Sequence, residues 1–425
     1  LTGRTVPTFK STIFPVVLSN GTGNVIAGTD TTLATHTVAA WTIRLKKMYP
    51  VGAVDLAVGS AFTGSVSTLA SDGTGWSNLL SDLATKHQTD AATDRYYYGA
   101  LQVSYGSGVA GLGYVPGTSS SSYTSRTAIG WDKTGYSDGG NYPEVFAHET
   151  GHNMGRPHSP CGGPASPDPN YPYAGALIGQ WGYDSVTNAL VNPTTTKDIM
   201  AYCSPVWVSD YVFGKILDFR TGTGGFLQVG AEDATPTKDL TQRTECLLVR
   251  GIVHKDGTVT FLPAFRTQAL PTALPAEGGF RLRGTDAQGQ KVFDRTVELL
   301  ALGCGPMEGE QHFLMSLPTR DLALGGLASL QLLEGDVVKG EKAVATPTAL
   351  EAPEATLLSN GRVRITWDAA AHEGLMVRHP ETGEALAILA GGQGDVLVDA
   401  QAITHLDLIP SGAREPLVRR TPVKR

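Results

Sequence analysis

Residues 148–158 read His-Glu-Thr-Gly-His-Asn-Met-Gly-Arg-Pro-His, and no other stretch limits the fold of this chain so severely. His148 and His152 are four apart, so a helix projects both from one face, a turn apart. Two imidazoles in that relation can bind one zinc ion, each nitrogen at about 2.0–2.1 Å. Glu149 points to the side of the pair, where it can take a proton from a water at the metal. Gly155 ends the helix, since glycine enters the left-handed cap without a Cβ clash, and Pro157 keeps the helix from resuming. The chain is thereby turned back so that His158 supplies a third nitrogen. A fourth position is left open for water, which is the arrangement of a catalytic zinc site rather than a closed structural one.

A bare His-Glu-x-x-His arises by accident on many helices as two solvated histidines beside a surface carboxylate. The extended form fixes five positions (His148, Glu149, His152, Gly155 and His158), for which chance is a poor account. A helix-start signal sits upstream: Asn141 as cap, Pro143 in the first turn, and Glu144 three residues after Asn141, as in a capping box. His-Glu-x-x-His-x-x-Gly-x-x-His resembles the zinc signature of the metzincin metalloproteases, which also carry a methionine in a tight turn under the metal. Met200, in Asp198-Ile199-Met200-Ala201-Tyr202-Cys203, is the matching residue. The resemblance covers roughly residues 1–220 and its subfamily features are mixed. Ser159 is similar to matrixins, and Met200-x-Tyr202 is similar to astacins and serralysins. The long stretch from His158 to Met200, with Cys161 and Cys203 near its ends, looks most like secreted bacterial reprolysin-like (adamalysin-like) enzymes. Tyr202 reads either as an oxyanion stabiliser, as the resemblance implies, or as a packed core tyrosine.

Composition divides the chain. All 14 tyrosines and five of the six tryptophans lie at or before Tyr211. Residues 1–222 carry 28 charged side chains, against 45 in the shorter remainder. The glycine-rich run at 222–225 is therefore a plausible joint. The expected domains are a zinc protease domain at 1–222, a β-sandwich-like domain at 223–345, and a β-rich segment at 346–425 that can belong to the same sandwich.

In the first domain, strands are expected at Phe9–Leu18, Val51–Val58, Tyr96–Ser104 and Thr127–Trp131. Helices are expected at Thr31–Met48, Trp76–Ala91 and Ser204–Phe219. Trp207 and Tyr211 are read as core. Gly108, Ala110, Gly111, Leu112 and Gly113 form a glycine-rich strand just ahead of the zinc helix. It reads as a cleft rim to which an extended substrate can pair, or as an ordinary edge strand weakened by glycine. Tyr173–Asp184 is either a substrate-side wall or a packed aromatic loop. From Phe226 onward, short alternating runs separated by turn signals such as Asp256-Gly257 argue for an antiparallel sandwich. The predicted fold class is thus an α+β metzincin catalytic domain, a mixed sheet with an active-site helix, followed by an all-β sandwich-like C-terminal region.

Four cysteines allow three pairings; Cys161–Cys203 and Cys246–Cys304, each within one domain, are the simplest. Disulfides imply an oxidising compartment, and secretion fits best. Leu1 in place of Met suggests that the numbering begins after a removed segment or at an artificial boundary, and the family resemblance implies that a signal peptide and a pro-segment can have preceded it. A net charge of −7 with both signs dispersed implies no nucleic-acid surface, and no apolar run approaches 18 residues, so no membrane span is expected. The expected function is a secreted zinc endopeptidase acting on protein or glycoprotein substrates. Its alternative is an adhesin or glycoprotein-binding protein, including a mucin-directed protease, in which the β modules dominate. Asp132, Asp138 and Asp168 are of a type that serves Ca2+, although solvated loops are the simpler reading. The five histidines after residue 250 are read as core or surface. The sequence leaves the oligomeric state open.

Overall fold

The computed structural model describes residues 4–21, 38–117, 122–133, 141–222, 242–275, 278–303, 305–320, 322–345, 352–399, 403–415 and 418–425. Residues 22–37, much of the joint after Gly222, the 346–351 linker, Asp138 and Cys304 thus lie outside the described residues.

The first part is built on a mixed sheet. β1 (Phe9–Val17) runs parallel to β2 (Val54–Val58) on one side and to β4 (Tyr96–Leu101) on the other, with β3 (Phe62–Thr63) continuing alongside it. β4 is followed by parallel β6 (Thr127–Trp131), and β5 (Gly111–Val115) pairs antiparallel with β6. Consecutive buried residues on β1 and β4 reflect burial on both faces, as parallel strands require. On one face α1 (Val38–Met48) and α3 (Tyr142–Asn153) pack Trp41, Leu45 and Phe146 against Phe9, Ile13 and Tyr98. On the other lies α2 (Trp76–Asp90). Two short strands follow α3 as a hairpin, β7 (Gly182–Asp184) and β8 (Ala189–Val191). β9 (Lys197–Asp198) then pairs with β10 (Val206–Trp207), and α4 (Asp210–Arg220) closes this part. The helix expected from Ser204 thus begins only at Asp210. Ser209 caps it, its side chain accepting from Val212 N, and the residues before it are spent on β10.

The remainder is β-rich. β11 (Thr244–Val253), β12 (Val259–Phe261), β13 (Phe265–Ala269), β16 (Leu300–Leu302) and β17 (Gln311–Pro318) form one antiparallel sheet. β14 (Phe280–Asp286), β15 (Lys291–Thr296), β18 (Leu327–Glu334) and β19 (Val337–Ala343) form the facing sheet. Leu247, Val249, Phe313 and Met315 from the first meet Leu282, Phe293, Leu330 and Leu332 from the second. Residues 354–424 add seven strands, β20–β26, around Val363, Ile365, Leu375, Leu389 and Leu408.

These parts share a core. α2 is buried on every side, including Asp82, Lys86, His87 and Gln88, because sheet residues lie on one face of it and the β-rich parts on the other. Phe14, Leu79 and Leu83 belong to the same apolar cluster as Phe265, Leu300, Met376 and Ile388. Arg250 reaches Asp82 at 2.7 Å with both side chains 1% exposed, and Lys86 bonds Glu384 at 2.8 Å. A charged helix face is tolerable there only because each charge meets a partner. No helix among the described residues is long and apolar enough to cross a membrane.

Cys161–Cys203 is a disulfide. Cys246 is a buried free thiol, and its expected partner Cys304 lies outside the described residues. Cys246 is the third residue of β11, and its Sγ lies 3.6 Å from the Ala269 carbonyl of neighbouring β13. Burial raises that thiol to about 11.

Candidate active site

α3 carries His148, Glu149 and His152. Asn141 takes its N-cap position with Pro143 in the first turn, but Asn141 makes no side-chain cap bond, so the expected capping box is not built. Glu144 reaches Arg44 of α1 at 3.5 Å. At the other end Gly155 adopts φ +73°. Gly155 N–H bonds the His152 carbonyl and Arg156 N–H bonds that of Gly151, a glycine-dependent stop as the sequence suggested. The chain then returns His158 to the helix.

The three imidazoles converge. His158 Nε2 lies 3.3 Å from His148 Nε2 and 3.2 Å from His152 Nε2. Two nitrogens at about 2.05 Å from one tetrahedral ion are about 3.3 Å apart, so the cluster fits zinc. The outer nitrogens are committed elsewhere: His148 Nδ1 lies 2.7 Å from the Ile199 carbonyl and His152 Nδ1 lies 2.6 Å from that of Arg156. A carbonyl only accepts, so Nδ1 carries the proton in both rings and Nε2 presents a lone pair. Burial pushes His148 down to about 4 and holds His152 and His158 well below the usual range, favouring the neutral form that binds metal. Among the described residues these three histidines form the cluster able to hold a metal.

Met200 lies beneath them, fully buried. A Cβ on Gly151 would come within 2.6 Å of Met200 Sδ, so the helix has a glycine where it crosses the turn. Tyr49 donates to the Ala147 carbonyl at 2.8 Å and lies 3.7 Å from Met200 Sδ. The turn is organised by Asp198, whose role sequence reasoning missed. Its carboxylate accepts from Met200 N and Ser209 N, each at 2.8 Å, and from Ser159 Oγ at 2.9 Å. Complete burial raises the Asp198 pKa against these bonds. Ser159 N–H also bonds the Met200 carbonyl, and Cys161–Cys203 covalently ties the His158 strand to the same turn.

Glu149 is 2% exposed and lies against β5. A Cβ on Gly111 would fall on its carboxylate, and one on Gly113 would come within 2.9 Å of its carbonyl oxygen. The glycines of this strand therefore make room for Glu149 itself. Gly108, Ala110 and Gly111 line a cavity of about 350 Å³ together with Val145, His148, Glu149, Ala201, Tyr202 and Val206. Leu112 belongs to the core, and the far end of β5, at Tyr114 and Val115, is paired with β16. Tyr202 is 38% exposed with its ring centred 4.5 Å from that of His158, which removes the packed-core reading. Trp207 is core, while Trp181 and Tyr183 are exposed and do not line the cavity. Asp168 accepts from Asn170 N and Tyr211 Oη, and burial raises Asp132 to about 7.

Comparison with known proteins points the same way. Residues 117–206 match the family model of Peptidase M66, and residues 53–159 match that of the Reprolysin-like members of metallopeptidase family M12B. Both matches contain His148–His158. Among curated proteins none matches the chain.

Proposed function

The chain is a metzincin-like zinc metalloprotease, and from that premise we propose that it is a secreted endopeptidase in which Glu149 carries the proton. His148, His152 and His158 would hold the ion. When bound, zinc supplies a Lewis acid that polarises the scissile carbonyl and lowers the pKa of water toward about 7. Glu149 takes the proton from the attacking water and later returns it to the leaving amine. Glycine at 111 leaves the Glu149 carboxylate room to do this beside the cavity. Tyr202 lines the same cavity and donates to the oxyanion, a contact of a kind worth about 2.7–4 kcal/mol. Val145, Ile199 and Val206 give the wall an apolar face that accommodates an apolar side chain of a protein substrate.

The observation that carries this reading is the approach of His158 Nε2 to 3.3 Å from His148 Nε2 and 3.2 Å from His152 Nε2, with two rings fixed by carbonyls on their outer nitrogens. The Cys161–Cys203 bridge supports export to an oxidising compartment. Casein cleavage by the purified full chain, abolished by a zinc chelator and restored by added Zn2+, tests it. Cleavage unaffected by the chelator would refute it.

A further inference from the structure

The outer ring nitrogens of His148 and His152 lie against backbone carbonyls, whereas that of His158 faces an acid. Glu308 Oε1 is 3.8 Å from His158 Nδ1, an ion-pair distance, with the two side chains only 6% and 1% exposed. Glu308 lies between β16 and β17 of the β-rich part. Its carboxylate accepts from Ala165 N at 2.9 Å and Ser166 N at 2.6 Å, in the loop that leaves His158. Later in that loop, Asp168 N–H bonds the His158 carbonyl at 2.7 Å. Met307, the residue before Glu308, is buried in the core shared with α2, and a Cβ on Gly73 would come within 2.2 Å of its Sδ. The carboxylate is thus fixed by core packing behind it and by two backbone donors beside it. The β-rich part meets a second ligand as well: a Cβ on Gly303 would come within 2.6 Å of the His152 ring.

A buried carboxylate belongs beside a donor or a cation. His158 directs Nε2 at the other two imidazoles, so Nδ1 is the nitrogen that keeps a proton when Nε2 binds a metal. A negative charge beyond Nδ1 favours that tautomer, holds the ring in its orientation and makes Nε2 the better donor to a cation. We infer that Glu308 is a positioning residue of the zinc site, orienting His158 and strengthening its hold on the ion from within the β-rich part. The inference rests on the zinc peptidase reading above. It makes the β-rich part a contributor to the metal site as well as to the core.

The test measures Zn2+ affinity of the full chain by competition with a chromophoric chelator, with circular dichroism confirming the fold. Glu308→Gln keeps the size of the side chain and one acceptor oxygen but removes the charge, and should weaken zinc binding about 10–100-fold. Glu308→Asp keeps the charge on a shorter side chain and should retain more of the affinity. Wild-type affinity in Glu308→Gln would overturn the inference and leave the peptidase reading standing. Weaker binding by Glu308→Asp than by Glu308→Gln would also overturn it, since that order marks a brace for the 165–166 loop and nothing more. If Glu308→Gln does not fold, Glu308→Asp decides alone: a loss smaller than about tenfold is expected, and a larger one would overturn the inference. Wild-type protein that binds no Zn2+ would overturn the peptidase reading together with it.

Discussion

Gly151 of the zinc helix sits directly against Met200 of the turn beneath it, with room for a hydrogen and no more. An alanine Cβ would lie 2.5 Å from Tyr49 Oη and 2.6 Å from Met200 Sδ. In an exposed helix, Gly→Ala would gain about 1 kcal/mol. Here overpacking of a buried contact outweighs that gain, and Gly151→Ala should cost about 1–2 kcal/mol net. Denaturant unfolding measures it; a stabilised variant would show that the turn yields freely.

The Cys161–Cys203 bridge closes a loop with a sequence separation of 42. Cys161→Ser/Cys203→Ser should lose about 2–4 kcal/mol of stability. Zinc should also bind more weakly, because the bridge fixes the His158 strand to the Met200 turn. Melting temperature and zinc titration read the two effects, and no change in either would mean that Asp198 alone holds the turn.

Asp82 and Arg250 form a buried pair joining α2 to β11. Asp82→Ala strands the guanidinium and should cost about 3–5 kcal/mol. Asp82→Leu/Arg250→Met should cost much less than the sum of the single changes. Additive costs would contradict a core shared between the protease part and the β-rich part.

Acid should destabilise the fold early. Burial lowers His87 and His312 to about 3, and neither belongs to the metal cluster. The unfolded chain takes up these protons near pH 6.5, while the folded chain refuses them until about pH 3. Their contribution is thus complete above about pH 6.5 and is lost as pH falls from there toward 3. Urea midpoints should drop between pH 7.5 and 5, and a flat profile would contradict the burial of these rings.

How much of this was written locally explains what could be read. The ligand helix, its glycine stop and the return of His158 depend on residues within eleven positions, and their periodicity and cap chemistry are visible in the chain. Asp198 escaped notice because its partners Ser159, Met200 and Ser209 meet only in the folded turn. α2 shows another limit: a helix was legible at Trp76–Ala91, but the burial of Asp82, Lys86 and Gln88 was not, because another part of the chain covers them. The pairing of β5 with β16 joins segments almost two hundred residues apart, and nothing in either strand names the other. Cys246 was assigned a bridge by counting, whereas in the folded sheet it is a free thiol whose Sγ lies against the Ala269 carbonyl.

The most direct test is zinc stoichiometry measured beside turnover in the Glu149→Gln protein. One zinc per chain should remain, since the three Nε2 donors are untouched, while peptide hydrolysis should fall by at least about 10²-fold with the proton carrier gone. Retained hydrolysis in that variant, or wild-type protein that purifies without stoichiometric zinc, would contradict the account.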